Sequence, residues 1–213
     1  WTESQGEGRI SVENPATGDI IGSVPEGTLE DADTAVLAAR EAFEGWSNSP
    51  IEERIRVLNS LSESFKTRTN ELAELITKEV GTPIEYSKMA MVGTPRVVTR
   101  SYAKLLESYK WEEEIRNSTI VREPVGVCAF ITPWNFPLHQ IIGKVAPAIA
   151  AGCTMVLKPS KEAPLNAFIL AEMLDEIGLP KGVFNLVSGY GSTVGSHLAS
   201  HPEVDMVSFT GST

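Results

Sequence analysis

The chain has 213 residues, 42% of them hydrophobic and 22% charged, which suits one large domain, or a domain with an appendage, that needs no disulfide or metal to hold its core. Lysine and arginine together number 18 and aspartate and glutamate 28, so the net charge is −10. That balance argues against nucleic acid and anionic membranes as partners. No apolar run reaches the ~18 residues of a membrane-spanning helix. The two cysteines give no disulfide framework, and we expect a reducing compartment, the cytoplasm.

Residues 1–110 are predicted to be mainly helical. Thr28 and Asp31 have the spacing of a capping box at the start of a first helix. Apolar residues at helical spacing then predict a second long helix that ends near Gly81, and a third helical stretch over roughly 84–109. The next segment, 111–123, is charged and has a β-prone centre at 118–121. A hairpin that projects from the main body and a plain surface loop both fit that segment.

Residues 124–213 are predicted to alternate strands with helices. We expect strands at 125–131, 154–157, 183–187 and 206–209, and helices at 138–150, 165–177 and 193–199. The first strand is almost continuously apolar, as a strand covered on both faces would be. This order predicts an α/β fold in which a Rossmann-like parallel sheet with flanking helices follows the N-terminal helical region.

The loops that follow the four predicted strands are polar or rich in glycine and proline. They cover 132–137, 158–162, 188–195 and 210–213. Because the carboxyl ends of parallel strands lie at one edge of a sheet, and ligands bind there in such folds, we expect these loops to form the binding site together.

Three features of these loops each have a functional and a plain interpretation. The glycines of 189–195 have the spacing G-x-G-x-x-x-G, one residue longer than the dinucleotide fingerprint, and fit either a phosphate at a helix N-terminus or an ordinary turn. Lys158 fits either a contact with a ribose hydroxyl or phosphate, or a solvated surface lysine. Asn135, between two prolines and two aromatics, fits either an oxyanion donor or a cap of the following helix.

Several blocks of the chain resemble the aldehyde dehydrogenase superfamily, and the resemblance covers essentially the whole chain. In the second half they are 133–137 (PWNFP), 146–153 (APAIAAGC), 158–160 (KPS), 178–185 (GLPKGVFN) and 209–212 (FTGS). The first half agrees more loosely, through 14–18 (NPATG), Trp46 and the long helices. The resemblance implies that 1–110 is the N-terminal part of a cofactor domain, that 111–123 is part of an oligomerisation hairpin, and that 124–213 is the dinucleotide-binding core.

The resemblance also implies a reaction, the oxidation of a small aldehyde to a carboxylic acid with NAD or NADP in a homodimer or homotetramer. Asn135 matches the amide that holds the oxyanion of the tetrahedral intermediate. The stretches 89–102 and 134–139 match the wall of the aldehyde tunnel. The residues that match the cofactor site are Ile131, Thr132, Pro133, Trp134, Lys158, Ser160, Lys161, Gly191, Gly195, Phe209 and Ser212.

One departure from the family concerns the coenzyme. Many NAD-preferring relatives have a glutamate three residues after the matching lysine, where this chain has Lys161, with Glu162 one place later. A carboxylate at that point repels a 2′-phosphate and a lysine does not, so NADP is predicted to be tolerated. The alternative is that Lys161 points to solvent and Glu162 takes the place of the glutamate.

A second departure concerns the catalytic pair. In the family, the nucleophilic cysteine and the general-base glutamate lie downstream of the FTGS block, so we expect both outside this chain and the chain alone to be an inactive fragment. Cys128 and Cys153 are predicted to be buried and structural. His139, His197 and His201 are predicted to be structural or solvated, with no metal site. A non-catalytic nucleotide-binding module and a coenzyme A-acylating enzyme are the alternative functions.

Overall fold

The computed structural model describes residues 1–212, which form eight strands and eight α-helices together with two π-helical segments. The strands are β1 (Arg9–Glu13), β2 (Ile20–Pro25), β3 (Glu112–Ile115), β4 (Ser118–Val121), β5 (Val127–Ile131), β6 (Thr154–Lys158), β7 (Phe184–Leu186) and β8 (Met206–Phe209). The α-helices are α1 (Leu29–Ser47), α2 (Ile51–Thr67), α3 (Thr69–Val80), α4 (Ile84–Tyr86), α5 (Gly93–Leu106), α6 (Pro137–Ala151), α7 (Leu165–Glu176) and α8 (Ser196–Ser200). The π-helical segments are Ser87–Val92 and Gly191–Gly195. No helix in the described part is long and apolar enough to cross a membrane.

The central element is a four-stranded parallel sheet with the order β7-β6-β5-β8. Val127 pairs with Thr154 at one end of β5 and β6, and Ile131 pairs with Lys158 at the other. The predicted Rossmann-like α/β fold is thus confirmed, with each strand within a few residues of its predicted position.

The inner strands β5 and β6 are covered on both faces, which explains why they are apolar without alternation. Val127 and Ala129 of β5 face α1 and α8, in a small cluster with Val36 and Leu198. Cys128 and Phe130 lie in the larger cluster on the other face, and most of its other members come from α2, α3, α5, α6 and α7. The edge strand β8 and the loops at the carboxyl edge stay open to solvent.

The N-terminal part agrees with the prediction at its first helix and differs from it in three later places. Thr28 and Asp31 form the predicted capping box of α1. The single long helix predicted to end near Gly81 is two helices, α2 and α3, joined at Arg68. The sequence does not reveal the break, because the apolar positions that face the core keep helical spacing through it. The third helical stretch ends at Leu106. The region also contains an antiparallel pair, β1 and β2, that the sequence did not predict.

The charged segment between the two halves forms a hairpin, so the surface-loop alternative is wrong. β3 and β4 pair antiparallel, with Ile115 opposite Ser118, and Arg116 in the connecting turn has a φ of 58°. Side chains on both strands are largely exposed, since no other strand of the described chain pairs with the hairpin.

Candidate functional site

The loops at the carboxyl edge of the parallel sheet enclose a cleft of about 480 Å³. Each of the four strands contributes, because their carboxyl ends lie side by side. The cleft is lined by Ile131, Thr132, Trp134, Lys158, Ser160, Lys161, Glu162, Tyr190, Gly191, Ser192, Phe209, Thr210, Gly211 and Ser212. The structure therefore brings together most of the residues that the sequence singled out, from segments up to about eighty positions apart in the chain.

Three of the predicted site residues lie outside the lining of the cleft: Pro133, Asn135 and Gly195. Gly195 is buried behind it, where an added Cβ would lie 3.6 Å from Cδ of Lys158. Asn135 is exposed in the loop between β5 and α6. Phe136, and not Asn135, is the N-cap of α6, and no side chain caps that helix. The interpretation of Asn135 as a helix cap is therefore wrong.

Lys158, the last residue of β6, is buried, so the alternative of a solvated surface lysine is wrong. The residue is only 3% exposed. Its ammonium donates to the backbone carbonyls of Pro159 and Gly189, the latter at 3.1 Å. Burial lowers the pKa of Lys158 to about 8, because the charged form loses its hydration. This lysine joins the loop after β6 to the loop after β7 at the floor of the cleft.

Lys161 and Glu162 form a pair on the wall of the cleft. Lys161 Nζ lies 2.6 Å from Oε1 of Glu162 and 5.9 Å from the ring centroid of Tyr190. The hydrogen bond to Glu162 raises the pKa of Lys161 above its ordinary value. Both side chains line the cleft and both are also partly exposed to solvent, at 44% and 58%, so the two interpretations of this position stay predictions.

The glycine segment leaves its side of the cleft open. A Cβ added at Gly191 would meet nothing within 4 Å, so the backbone faces free space at the point where Tyr190 and Ser192 line the cleft. The segment then continues through Gly195 into α8.

Neither cysteine lies on the cleft. Cys128 and Cys153 are free cysteines, and both are buried in the larger cluster of the core. The interaction with the Cys153 thiol, followed by burial, raises the pKa of Cys128. The cleft can hold a polar, extended ligand, but the described residues give it no thiol nucleophile.

Comparison with known proteins decides which family has this arrangement. A model of the family described as "Aldehyde dehydrogenase family" matches residues 1–213. The chain belongs to the aldehyde dehydrogenase family.

Relatives within the family agree in sequence and in structure. A 3-succinoylsemialdehyde-pyridine dehydrogenase of a Pseudomonas species is 49% identical, and the match covers 100% of this chain and 45% of that protein. Aldehyde dehydrogenase C of Pseudomonas syringae, solved as a mutant with NAD⁺ and octanal, is 45% identical with a TM-score of 0.96 over 97% of this chain and 43% of that one. A betaine aldehyde dehydrogenase of Staphylococcus aureus, solved with NAD⁺, is 40% identical with a TM-score of 0.94 over 98% and 43%. The chain thus spans less than half the length of these relatives.

Two polar side chains that the sequence did not single out fix segments next to the cleft: the end of β8 and the start of α7. Lys144, the one lysine of α6, donates to the hydroxyls of Ser208 at 2.9 Å and Thr210 at 2.8 Å, and so fixes the end of β8. Its position in an apolar helix that has no other lysine and no arginine, aspartate or glutamate is the signal that could have revealed it.

The second missed side chain is Glu79 of α3. Its carboxylate is buried and accepts hydrogen bonds from the backbone N–H groups of Leu165 and Asn166 and from the Asn166 side chain. It thereby caps α7. The N-cap residue of that helix is Pro164, whose side chain cannot accept a hydrogen bond from the first backbone N–H groups. Burial outweighs these bonds and raises the pKa of Glu79 to about 7.

Proposed function

We propose that the protein containing this chain oxidises a small aldehyde to a carboxylic acid with NAD or NADP, and that the chain supplies the coenzyme side of the active site. The observation that carries the proposal is the cleft itself, where four strand ends bring together loops that match the family's cofactor motifs. The relatives solved with NAD⁺, one of them also with octanal, support it. A cytoplasmic location stays part of the proposal and is supported by the two free cysteines.

The residues of the cleft fit a dinucleotide. Gly191 presents backbone without a side chain towards open space, and Lys158 stands at the floor, where a donor would meet ribose hydroxyls. We propose that the coenzyme is held by the lining residues named above, with Pro133 and Gly195 supporting them from behind. When bound, the nicotinamide would accept the hydride that leaves the aldehyde carbon.

Asn135 is proposed to donate its amide N–H to the oxygen of the reacting carbonyl as negative charge develops there. An amide does not titrate, so it can stabilise an oxyanion at any working pH. The proposal is supported by the position of Asn135, exposed just before α6 and not used as a helix cap. Removal of such a donor typically costs ~3 kcal/mol of transition-state stabilisation, or roughly 100-fold in kcat. The nucleophilic cysteine and the general-base glutamate are proposed to lie outside this chain, which is supported by the absence of Cys128 and Cys153 from the cleft lining.

Coenzyme choice is proposed to be permissive, with NADP accepted as well as NAD. The Lys161–Glu162 pair on the cleft wall supports this, because a lysine beside a carboxylate leaves a cation to meet a 2′-phosphate and an anion to meet ribose hydroxyls. A carboxylate without the lysine would repel the phosphate.

The test uses the whole parent protein and measures NADH and NADPH formation with a panel of aldehydes, beside the same assay on the 213-residue chain. We expect turnover with both coenzymes by the parent and none by the chain.

Lys161→Glu should raise the KM for NADP at least about tenfold and leave the KM for NAD within a few-fold. Lys181→Glu makes the same charge change on an exposed loop at the opposite edge of the sheet and should alter neither. Aldehyde-dependent turnover by the chain alone, or equal effects of Lys161→Glu on both coenzymes, would refute these proposals.

The hairpin of β3 and β4 is proposed to join copies of the parent protein into a homodimer or homotetramer. Ile115 and Ile120 lie on the same face of the hairpin and are 48% and 42% exposed. A two-stranded hairpin is marginal alone, and a partner that covers this face would stabilise it. The mass of the parent measured by light scattering should fall to that of a smaller oligomer in Ile120→Asp, whereas Thr119→Asp on the opposite face should change it less.

A further inference from the structure

Two histidines and an aspartate meet on the sheet face that carries α1 and α8, outside the coenzyme cleft. His197 Nε2 lies 2.5 Å from Oδ1 of Asp33, and His201 Nε2 lies 3.2 Å from the same oxygen. The two imidazole rings are 5.5 Å apart and nearly perpendicular, at 88°. All three potential ligand atoms lie within 4.8 Å of one another.

The local sequence explains this convergence. His197 lies in α8 and His201 follows its last residue, so the four-residue spacing brings both imidazoles to one side. Asp33 belongs to the second turn of α1, which packs against α8 across the small cluster of the core. His201 is mostly buried, with 9% of its side chain exposed, while 28% of His197 is exposed and leaves an entry path from solvent.

The chemistry of these three side chains is that of a metal site. Two imidazoles and one carboxylate are a common ligand set for Zn²⁺ and related divalent ions. Around a tetrahedral ion at ~2.1 Å from each ligand, the ligand atoms stand roughly 3.4 Å apart. The 3.2 Å from His201 to Asp33 is close to that separation, and His197, at 2.5 Å, needs to withdraw by less than about 1 Å.

One hydrogen bond opposes metal binding. The backbone N–H of Glu203 donates to Nδ1 of His201 at 3.1 Å, which places the proton of neutral His201 on Nε2. A metal at Nε2 requires that proton on Nδ1 instead, so the Glu203 bond must open. It is an exposed bond between residues two apart, and water can replace both partners.

We propose that Asp33, His197 and His201 bind one divalent transition-metal ion of the imidazole-preferring class, with Zn²⁺ as its representative, and that solvent completes the coordination. The ion ties α1 to α8. Since α8 continues directly from Gly191–Gly195, the site braces the glycine segment from behind without touching the cleft. This proposal does not depend on the reaction proposed above.

The test titrates the whole parent protein, without a histidine tag, with Co²⁺ alone and records the visible absorption of the ion. Thermal unfolding is measured separately with and without Zn²⁺. We expect one Co²⁺ per chain and a higher Tm with Zn²⁺. His197→Gln and His201→Gln should each weaken Co²⁺ binding at least about tenfold and reduce the Tm shift. His139→Gln, the third histidine, lies on α6 and is the matched control that should bind as the wild type does.

Asp33→Asn keeps a carbonyl oxygen for the two imidazoles, and it serves as a further variant if a histidine variant loses the circular dichroism of the wild type. It should also weaken Co²⁺ binding at least about tenfold. The proposal is overturned if the wild type gives neither a Co²⁺ spectrum nor a Tm shift, or if the variants that fold bind as tightly as the wild type. Absorption typical of thiolate ligation would place the ion on the cysteines and would overturn it equally.

Discussion

The buried carboxylate of Glu79 makes the stability of this fold depend on pH in a predictable direction. The side chain is 4% exposed, and burial raises its pKa from 4.5 to about 7. A carboxyl group with a raised pKa in the folded state binds a proton there that the unfolded chain has already lost. Its contribution to stability is therefore full below about pH 4.5 and is lost as the pH rises towards about 7.

The magnitude follows from the two pKa values. A difference of about 2.5 between them corresponds to roughly 3 kcal/mol, lost at ~1.4 kcal/mol per pH unit across that window. The three donors from Leu165 and Asn166 favour the carboxylate and already reduce this effect. Without them the loss on ionisation would be larger.

The assay is urea unfolding of the wild type and of Glu79→Gln at several pH values between about 5 and about 8. The glutamine keeps the shape and one acceptor oxygen but cannot ionise. We expect the free energy of unfolding of the wild type to decrease relative to the variant by about 2–3 kcal/mol over this range. Glu74→Gln, on an exposed position of the same helix, should follow the wild-type curve. Parallel curves for Glu79→Gln and the wild type would refute the reasoning.

Two further substitutions test how the C-terminus of α6 and the end of β8 are held. Gly152→Ala should lower the free energy of unfolding in urea by ~2 kcal/mol or more, because φ at this position is +83° and the new Cβ would lie 2.7 Å from Cζ of the buried Arg54. The control is Gly143→Ala, whose Cβ would meet nothing within 4 Å and which should leave the free energy of unfolding unchanged or raise it. A smaller loss at Gly152 than at Gly143 would contradict this. Lys144→Met removes the donor to two β8-end hydroxyls and should speed amide exchange at Thr210 about tenfold by mass spectrometry, and unchanged exchange would count against that role.

The order of elements was predictable from local patterns. Each strand of the parallel sheet is a short apolar run between turn residues, and such runs need no knowledge of their neighbours to be recognised. The capping box at Thr28 was predictable for the same reason, since its partners are three residues apart. The β1–β2 pair was missed although β1 alternates exposed and buried residues, because β2 shows no such alternation: four of its six residues are half-buried.

The roles of single polar side chains were less predictable, because burial is not a local property. Lys158 fits a surface lysine in sequence, yet the loop after β7 closes over it. Glu79 lies on a helix with many exposed charges, and only the packing of α7 against α3 makes it a cap. His197 and His201 look like scattered histidines until α1 places Asp33 between them.

The sequence by itself determined the alternation of strands and helices, the shared edge where the four loops meet, and the resemblance to aldehyde dehydrogenases, because these depend on the period and spacing of nearby residues. Tertiary structure decided which side chains meet there. The contact of Lys158 with the carbonyl of Gly189 and that of Lys144 with the hydroxyl of Thr210 both depend on how segments distant in the chain pack. Burial and charge proximity change the chemistry of a group by several kcal/mol, and both arise only when distant segments come together.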